Sequence, residues 1–196
     1  MAKICRIFAN GDASMPQLDS FAQSEFDSLP SALAAAVAEA EMPDLGEGAV
    51  AESLTELLKN AEVSDSGLRF PSGETVDLSR SQASLCLAGF WLLAGNLERS
   101  HSFSQELPCR DGSFWHGIMH RREGDFGNAK YWFRKVGNHP VFEQLADLTG
   151  GTYEDPFDFI DACSSAVRKK GGGAYQSCMI TQWAEWQALM VHCITG

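Results

Sequence analysis

The chain lacks any Cys-x-x-Cys pair among its six cysteines, Cys5, Cys86, Cys109, Cys163, Cys178 and Cys193. Zinc-ribbon and thioredoxin-like readings therefore have no support. A short secreted domain would need cross-links, but a 196-residue chain buries enough surface to fold without them. All six are expected to be reduced thiols acting as small hydrophobes. No segment combines a basic start, an apolar run and a small-residue cleavage site. The longest apolar stretch, Leu85 to Gly95, is well short of the ~20 residues that span a bilayer. These absences predict a soluble, cytoplasmic protein with no membrane contact.

Positive charge is also scarce. Fifteen lysines and arginines face 26 acidic residues, a net charge of −11, which argues against nucleic-acid binding because that needs a basic footprint. The imbalance is uneven. Asp19 to Asp65 holds a single basic residue, Lys59, whereas Cys109 to His139 carries Arg110, Arg121, Arg122, Lys130, Arg134 and Lys135 against Asp111, Glu123 and Asp125. Either the two segments neutralise each other across a packed interface, or the basic one faces a small anionic molecule. Pairing of the same two segments between chains would make a homodimer.

With 44% hydrophobic and 21% charged residues the composition is that of a globular chain. We read residues 1–196 as a single domain with an acidic part over 1–65 and a main helical core over 79–196. Ile4, Ile7 and Phe8 suggest a short extended segment. Alanine-rich Leu29 to Glu41 favours helix, and Ala49 to Ala61 resumes it with Val50, Leu54, Leu57 and Leu58 at helical spacing. Leu68-Arg-Phe and Thr75-Val-Asp-Leu could flank a small hairpin.

Ser79 and Gln82 fit a capping box opening a helix predicted to run to about His101, its middle apolar nearly all round. Beyond a turn at Asp111-Gly112, helices are predicted over Phe114 to Glu123, Phe126 to Val136, Pro140 to Gly150, Pro156 to about Lys170 and Tyr175 to Ile194. Short loops between helices imply an all-α, antiparallel bundle-like fold with a central buried helix.

Four of the five histidines, His101, His116, His120 and His139, fall close together. His116 and His120 are four apart, so on a helix their side chains stack on one face, roughly 6 Å apart at Cβ. That spacing suits two imidazoles on one divalent metal such as Zn, Fe, Mn or Ni. Zinc peptidases place a glutamate directly after the first histidine, where this chain has Gly117, so that motif is absent. Glu98 and His101, which form Glu-x-x-His, are the candidate further ligands, Glu98 first; only one such motif occurs, so a di-iron centre is incomplete. Glu123 and His101 are the candidate acid–base groups.

Arg121, Arg122, Lys130 and Arg134 could bind an anionic group, with Asn128 at a helix start, Tyr131 as a pocket wall and His139 nearby. Pairing of these cations with Glu123, Asp125 and the acidic N-terminal third accounts for them slightly better. No Gly-x-Ser-x-Gly elbow is present, and no base is evident beside Cys109. Three readings stay open: a metal site or a metal-free ligand pocket, the first serving a metal-dependent and the second an acid–base enzyme, and a structural polar network in a non-catalytic binding or interaction domain.

The run Trp115-His-Gly-Ile-Met-His-Arg-Arg-Glu-Gly-Asp-Phe-Gly-Asn-Ala-Lys-Tyr-Trp-Phe-Arg-Lys-Val-Gly-Asn-His-Pro resembles the signature stretch of a family of uncharacterised bacterial and fungal proteins. The Ser100-His101 segment and the tryptophan-rich C-terminal helix share the resemblance, which covers about half the chain. That family has no established activity, so the resemblance implies no catalytic assignment.

Overall fold

The computed structural model describes residues 18–169 and 171–196. Cys5 and the proposed extended segment at Ile4, Ile7 and Phe8 lie outside the described residues. The remainder is mainly helical: α1 (Ser20–Asp27), α2 (Ser31–Glu39), α3 (Glu52–Lys59), strands β1 (Glu62–Ser64), β2 (Gly67–Arg69) and β3 (Thr75–Asp77), then α4 (Arg80–Leu93), α5 (Leu97–Ser104), α6 (Arg110–Glu123), α7 (Phe126–Val136), α8 (Pro140–Leu148), α9 (Pro156–Arg168) and α10 (Gly173–Thr195). None of the described helices is long and apolar enough to cross a membrane. The five described cysteines are free thiols.

Helix α4 opens on the expected capping box. Ser79 Oγ accepts from the Gln82 N–H, and the Gln82 side chain accepts from the Ser79 N–H. Every residue from Leu85 to Leu93 is buried. The helix then stops, eight residues short of His101. Gly95 turns the chain at φ +77°, and a Cβ there would lie 2.5 Å from the Ala49 carbonyl oxygen. The segment before α3 is bonded to this corner through the Ala51 N–H and Ala94 O, at 3.1 Å. Restarting after the corner, α5 can fold back beside α4 and α6.

The hairpin is there, with one more strand than expected. β1, β2 and β3 form an antiparallel meander whose central rung is Val63–Leu68–Val76, with Leu68 buried against α4. Three-residue β1 is too short for its alternation to register in sequence. Short α1 was likewise unanticipated; it packs on α10, where Gln187 Nε2 donates to Asp19 at 3.0 Å.

Helix α6 begins four residues before the predicted start. Cys109 Sγ caps it by accepting from the Gly112 N–H, so Asp111 and Gly112 form its first turn and not a connecting turn. At Gly117 a Cβ would sit 2.7 Å from the Phe133 ring, which brings α7 hard against α6. Glutamate at this position would be sterically excluded. Helix α10 buries Trp183, Trp186, Leu189 and Met190, and Trp186 Nε1 donates to Gly89 O of α4 at 2.8 Å.

Candidate metal centre and acidic cleft

The corner at Gly95 brings His101, on α5, against His116 and His120, on α6. One nitrogen from each of the three rings lies within 4.8 Å of the other two. Ring centroids are 4.6 Å apart for His101 and His116, 4.7 Å for His116 and His120, and 5.6 Å for His101 and His120. His116 and His120 are buried and His101 is partly exposed.

Hydrogen bonding decides which ring nitrogens are free. Ser104 Oγ donates to the His101 carbonyl at 3.3 Å, so toward His116 Nδ1, 3.1 Å away, it can only accept. His116 therefore carries its proton on Nδ1 and keeps the Nε2 lone pair. His120 Nδ1 donates to Glu123 Oε2 at 2.9 Å, again leaving Nε2 unprotonated. Asn128 Nδ2 is 3.0 Å from His120 Nε2 and 3.5 Å from its Nδ1. Those nearly equal distances put the amide over the ring face, clear of the in-plane lone pair. His101 has no side-chain hydrogen bond among the described residues.

Burial, and then the neighbouring His120, His101 and Lys135, push His116 down to about 3, outweighing the opposing Ser104 contact. The ring is neutral near pH 7, as a metal ligand must be. Trp132 of α7 stacks on its face at 3.9 Å, and Lys135 Nζ lies 4.0 Å above the indole. Aromatic cover fixes the imidazole plane.

Glu98 is not among the clustered ligand atoms. It lies a turn before His101 on α5, and only His101 is level with the α6 pair. Both residues line a cleft of about 420 Å³, shared with Glu47, Gly48, Val50, Gly95, Asn96, Leu97 and Glu123. Sequence reasoning named His101 both as a candidate ligand and as an acid–base group; its ring clusters with those of His116 and His120. Glu123 lines the cleft while also orienting His120.

The expected anion-binding cations are dispersed, and none lines this cleft. Arg121 points into the core, where it forms a two-pronged pair with Glu185 and donates to Gln182 Oε1 at 3.3 Å. Burial opposes its charge, but Glu185 more than compensates and raises its pKa. Arg122 is consumed by carbonyls, donating to Gly46 O at 3.0 Å, Glu47 O at 2.8 Å and Leu92 O. Burial lowers it to about 10. Lys130 pairs with Asp161 on α9 at 2.7 Å, Arg134 lies over the Phe157 ring, and Tyr131 is exposed beside Lys135. Of the proposed ligand-binding residues, only Asn128 reaches the histidines.

His139 belongs to a second cluster with Asp111 and His192, again with one ligand atom each inside 4.8 Å. Neither Asp111 nor the fifth histidine, His192, stood out in sequence. Proton placement separates this cluster from the first. The Val141 N–H donates to His139 Nδ1 at 3.3 Å, so the ring proton is on Nε2 and points to Asp111 Oδ1 at 2.8 Å. His192 Nε2 lies 3.2 Å from the same oxygen. A metal on His139 Nε2 would need a proton on Nδ1, facing the Val141 N–H. The His139 hydrogen bond, more than burial opposes it, pulls Asp111 below the usual carboxylate range. The cluster has the bonding of a hydrogen-bonded clamp joining α6, α8 and α10.

No protein-family model, curated protein or solved structure matches the chain.

Proposed function

We propose that this protein is a metal-dependent enzyme in which His101, His116 and His120 hold one divalent ion at the wall of the acidic cleft. The observation that carries this reading is the meeting of three imidazoles, two of which, His116 and His120, are hydrogen-bonded through Nδ1 and so keep Nε2 for a ligand. Three protein ligands with the remaining positions open are the pattern of catalytic zinc, whereas structural zinc sites are closed by four. An all-imidazole set suits zinc, iron or nickel better than manganese, which favours carboxylates. Nitrogens about 2.1 Å from zinc stand about 3.4 Å apart, so ligation draws the rings closer than 4.8 Å.

In this reading Glu123 holds His120 in its ligating tautomer, the role outer carboxylates play around bound metals. Glu98 is the free cleft carboxylate on the same face as His101, and serves as general base toward a water activated by the metal. Hydrolytic chemistry on a small polar substrate follows. The arginines that motivated an anionic ligand are elsewhere, so the cleft supports no anionic substrate.

The test is elemental analysis of untagged protein purified without chelator. The expected result is close to one zinc, iron or nickel ion per chain, lost in H116A/H120A. The partly exposed His101→Ala variant should also lose it while keeping a cooperative melt. No bound ion after reconstitution with each metal would overturn the reading.

A further inference from the structure

The buried guanidinium of Arg121 gathers two helix faces. On α9 it lies 4.5 Å from the Phe159 ring, and Cys163 is one turn further along the same face. On α10 it is bonded to Gln182 and Glu185, and Cys178 is one turn earlier on that face. A short loop joins the two helices, which therefore pack antiparallel. Cys163 is five residues before the end of α9 and Cys178 five residues after the start of α10, so the hairpin sets the two cysteines level. Their thiols are hydrogen-bonded to each other.

The two sulfurs are not equivalent. Cys178 is 8% exposed and Cys163 1%. The Cys163 S–H donates to Cys178 and so lowers the Cys178 thiol, burial opposes this, and Arg121 adds to the lowering. The same bond, and then burial, raise Cys163. The more accessible sulfur is thus the better thiolate, with a second thiol directly behind it, the arrangement of redox-sensing cysteines. Cys86 and Cys193 also neighbour each other, but burial raises both. Around the Cys163–Cys178 pair stand Arg121, Glu185 and Tyr153, and Arg121 Nε and Tyr153 Oη are buried with no hydrogen-bond partner among the described residues. They are donors, unused in the reduced protein, for an oxygen brought to the sulfurs.

We propose that Cys163 and Cys178 form a redox-active dithiol that hydroperoxides oxidise to an intramolecular disulfide stapling α9 to α10. With hydrogen peroxide, the Cys178 thiolate attacks one oxygen and the O–O bond breaks. The departing hydroxide takes the proton that Cys178 released and leaves as water, and Cys178 becomes a sulfenic acid. The Cys163 sulfur then attacks the Cys178 sulfur, the S–O bond breaks, and hydroxide leaves with the Cys163 proton as a second water. Two thiols are oxidised to one disulfide, and one peroxide is reduced to two waters. Disulfide sulfurs stand about 2.05 Å apart, closer than hydrogen-bonded thiols, so the two turns draw together. The glycines at 171–173 in the connecting loop give the hairpin that freedom. Neither step involves the histidine site.

The test treats the reduced chain, freed of reductant, with equimolar hydrogen peroxide, blocks remaining thiols with N-ethylmaleimide and maps the peptides by mass spectrometry without reduction. The expected result is a cross-linked peptide pair joining Cys163 to Cys178, with the exposed Cys109 still alkylated and both thiols restored by dithiothreitol. Cys163→Ser should stop at a Cys178 sulfenic acid that dimedone traps. Cys178→Ser should leave Cys163 alkylatable at a dose that consumes it in the parent. Oxidation of Cys109 ahead of Cys178, pairing of Cys178 with any other cysteine, or survival of both thiols in the parent would overturn the proposal. The parent's own map decides the pairing, so a variant that fails to fold does not leave the outcome open.

Discussion

Glu123 Oε2 lies 2.9 Å from Nδ1 of His120, three residues earlier on α6, and this contact fixes which nitrogen of the ring is unprotonated. The carboxylate also lines the cleft, so one side chain joins the histidine cluster to that space. Replacing it with glutamine removes a charged acceptor while keeping the shape. Glu123→Gln is expected to weaken metal affinity by about 10–100-fold. Competition against a chromogenic chelator measures it, and unchanged affinity would remove Glu123 from the orienting role.

The metal-free protein should lose stability on the acid side. His116 is held near 3, whereas an unfolded histidine titrates near 6.5, so below about pH 6.5 the unfolded chain takes up a proton that the folded chain refuses. Stability from this ring is fully present above about 6.5 and drains as pH falls toward about 3, at up to about 1.4 kcal/mol per pH unit. Urea unfolding across that window, compared with His116→Gln, isolates the contribution. Equal slopes for the two proteins would contradict the burial argument.

Arg121 and Glu185 are both buried, so removing one partner strands the other's charge. Arg121→Met should cost about 3–5 kcal/mol, and adding Glu185→Leu should recover most of that loss. A double-mutant cycle by urea denaturation reads the coupling. Additive losses would mean that Gln182 and the Phe159 ring, 4.5 Å from the guanidinium, dominate its environment.

The Asp111–His139–His192 clamp is expected to leave metal stoichiometry alone. His192→Ala should retain the full metal content of the parent and lose only stability, by about 1 kcal/mol for a partly exposed charged hydrogen bond. Two ions per chain, falling to one in His192→Ala, would convert the clamp into a second metal centre.

Much of the fold was legible locally. The capping box at Ser79, the caps at Asp125 and Asp155, and the glycine stop at Gly124 depend on residues within a turn of each other, and each marks a helix end where expected. The break at Gly95 was not legible. Ala94 and Gly95 continue an apolar run, and only the approach of Ala49 and Ala51 from a distant segment explains the corner. The site divides along the same line. His116 and His120 share a face because of helical spacing, whereas the choice of His101 over Glu98 as the ring that joins them depended on where α5 restarts.

The sequence by itself determined the mainly helical class, the buried α4 and the pairing of two imidazoles on one helix face, since periodicity and capping act over a few residues. Tertiary structure alone decided the fate of the charges. Arg121 and Arg122 adjoin in sequence and have the same chemistry, but one meets Glu185 on α10 and the other three carbonyls, two of them in the loop before α3. Burying a guanidinium is costly unless partners await it, and those partners come from segments 30 to 76 residues away. Their burial leaves the cleft to glutamates, and so the folded chain presents a negative recess beside its histidines where a basic segment had pointed to a positive one.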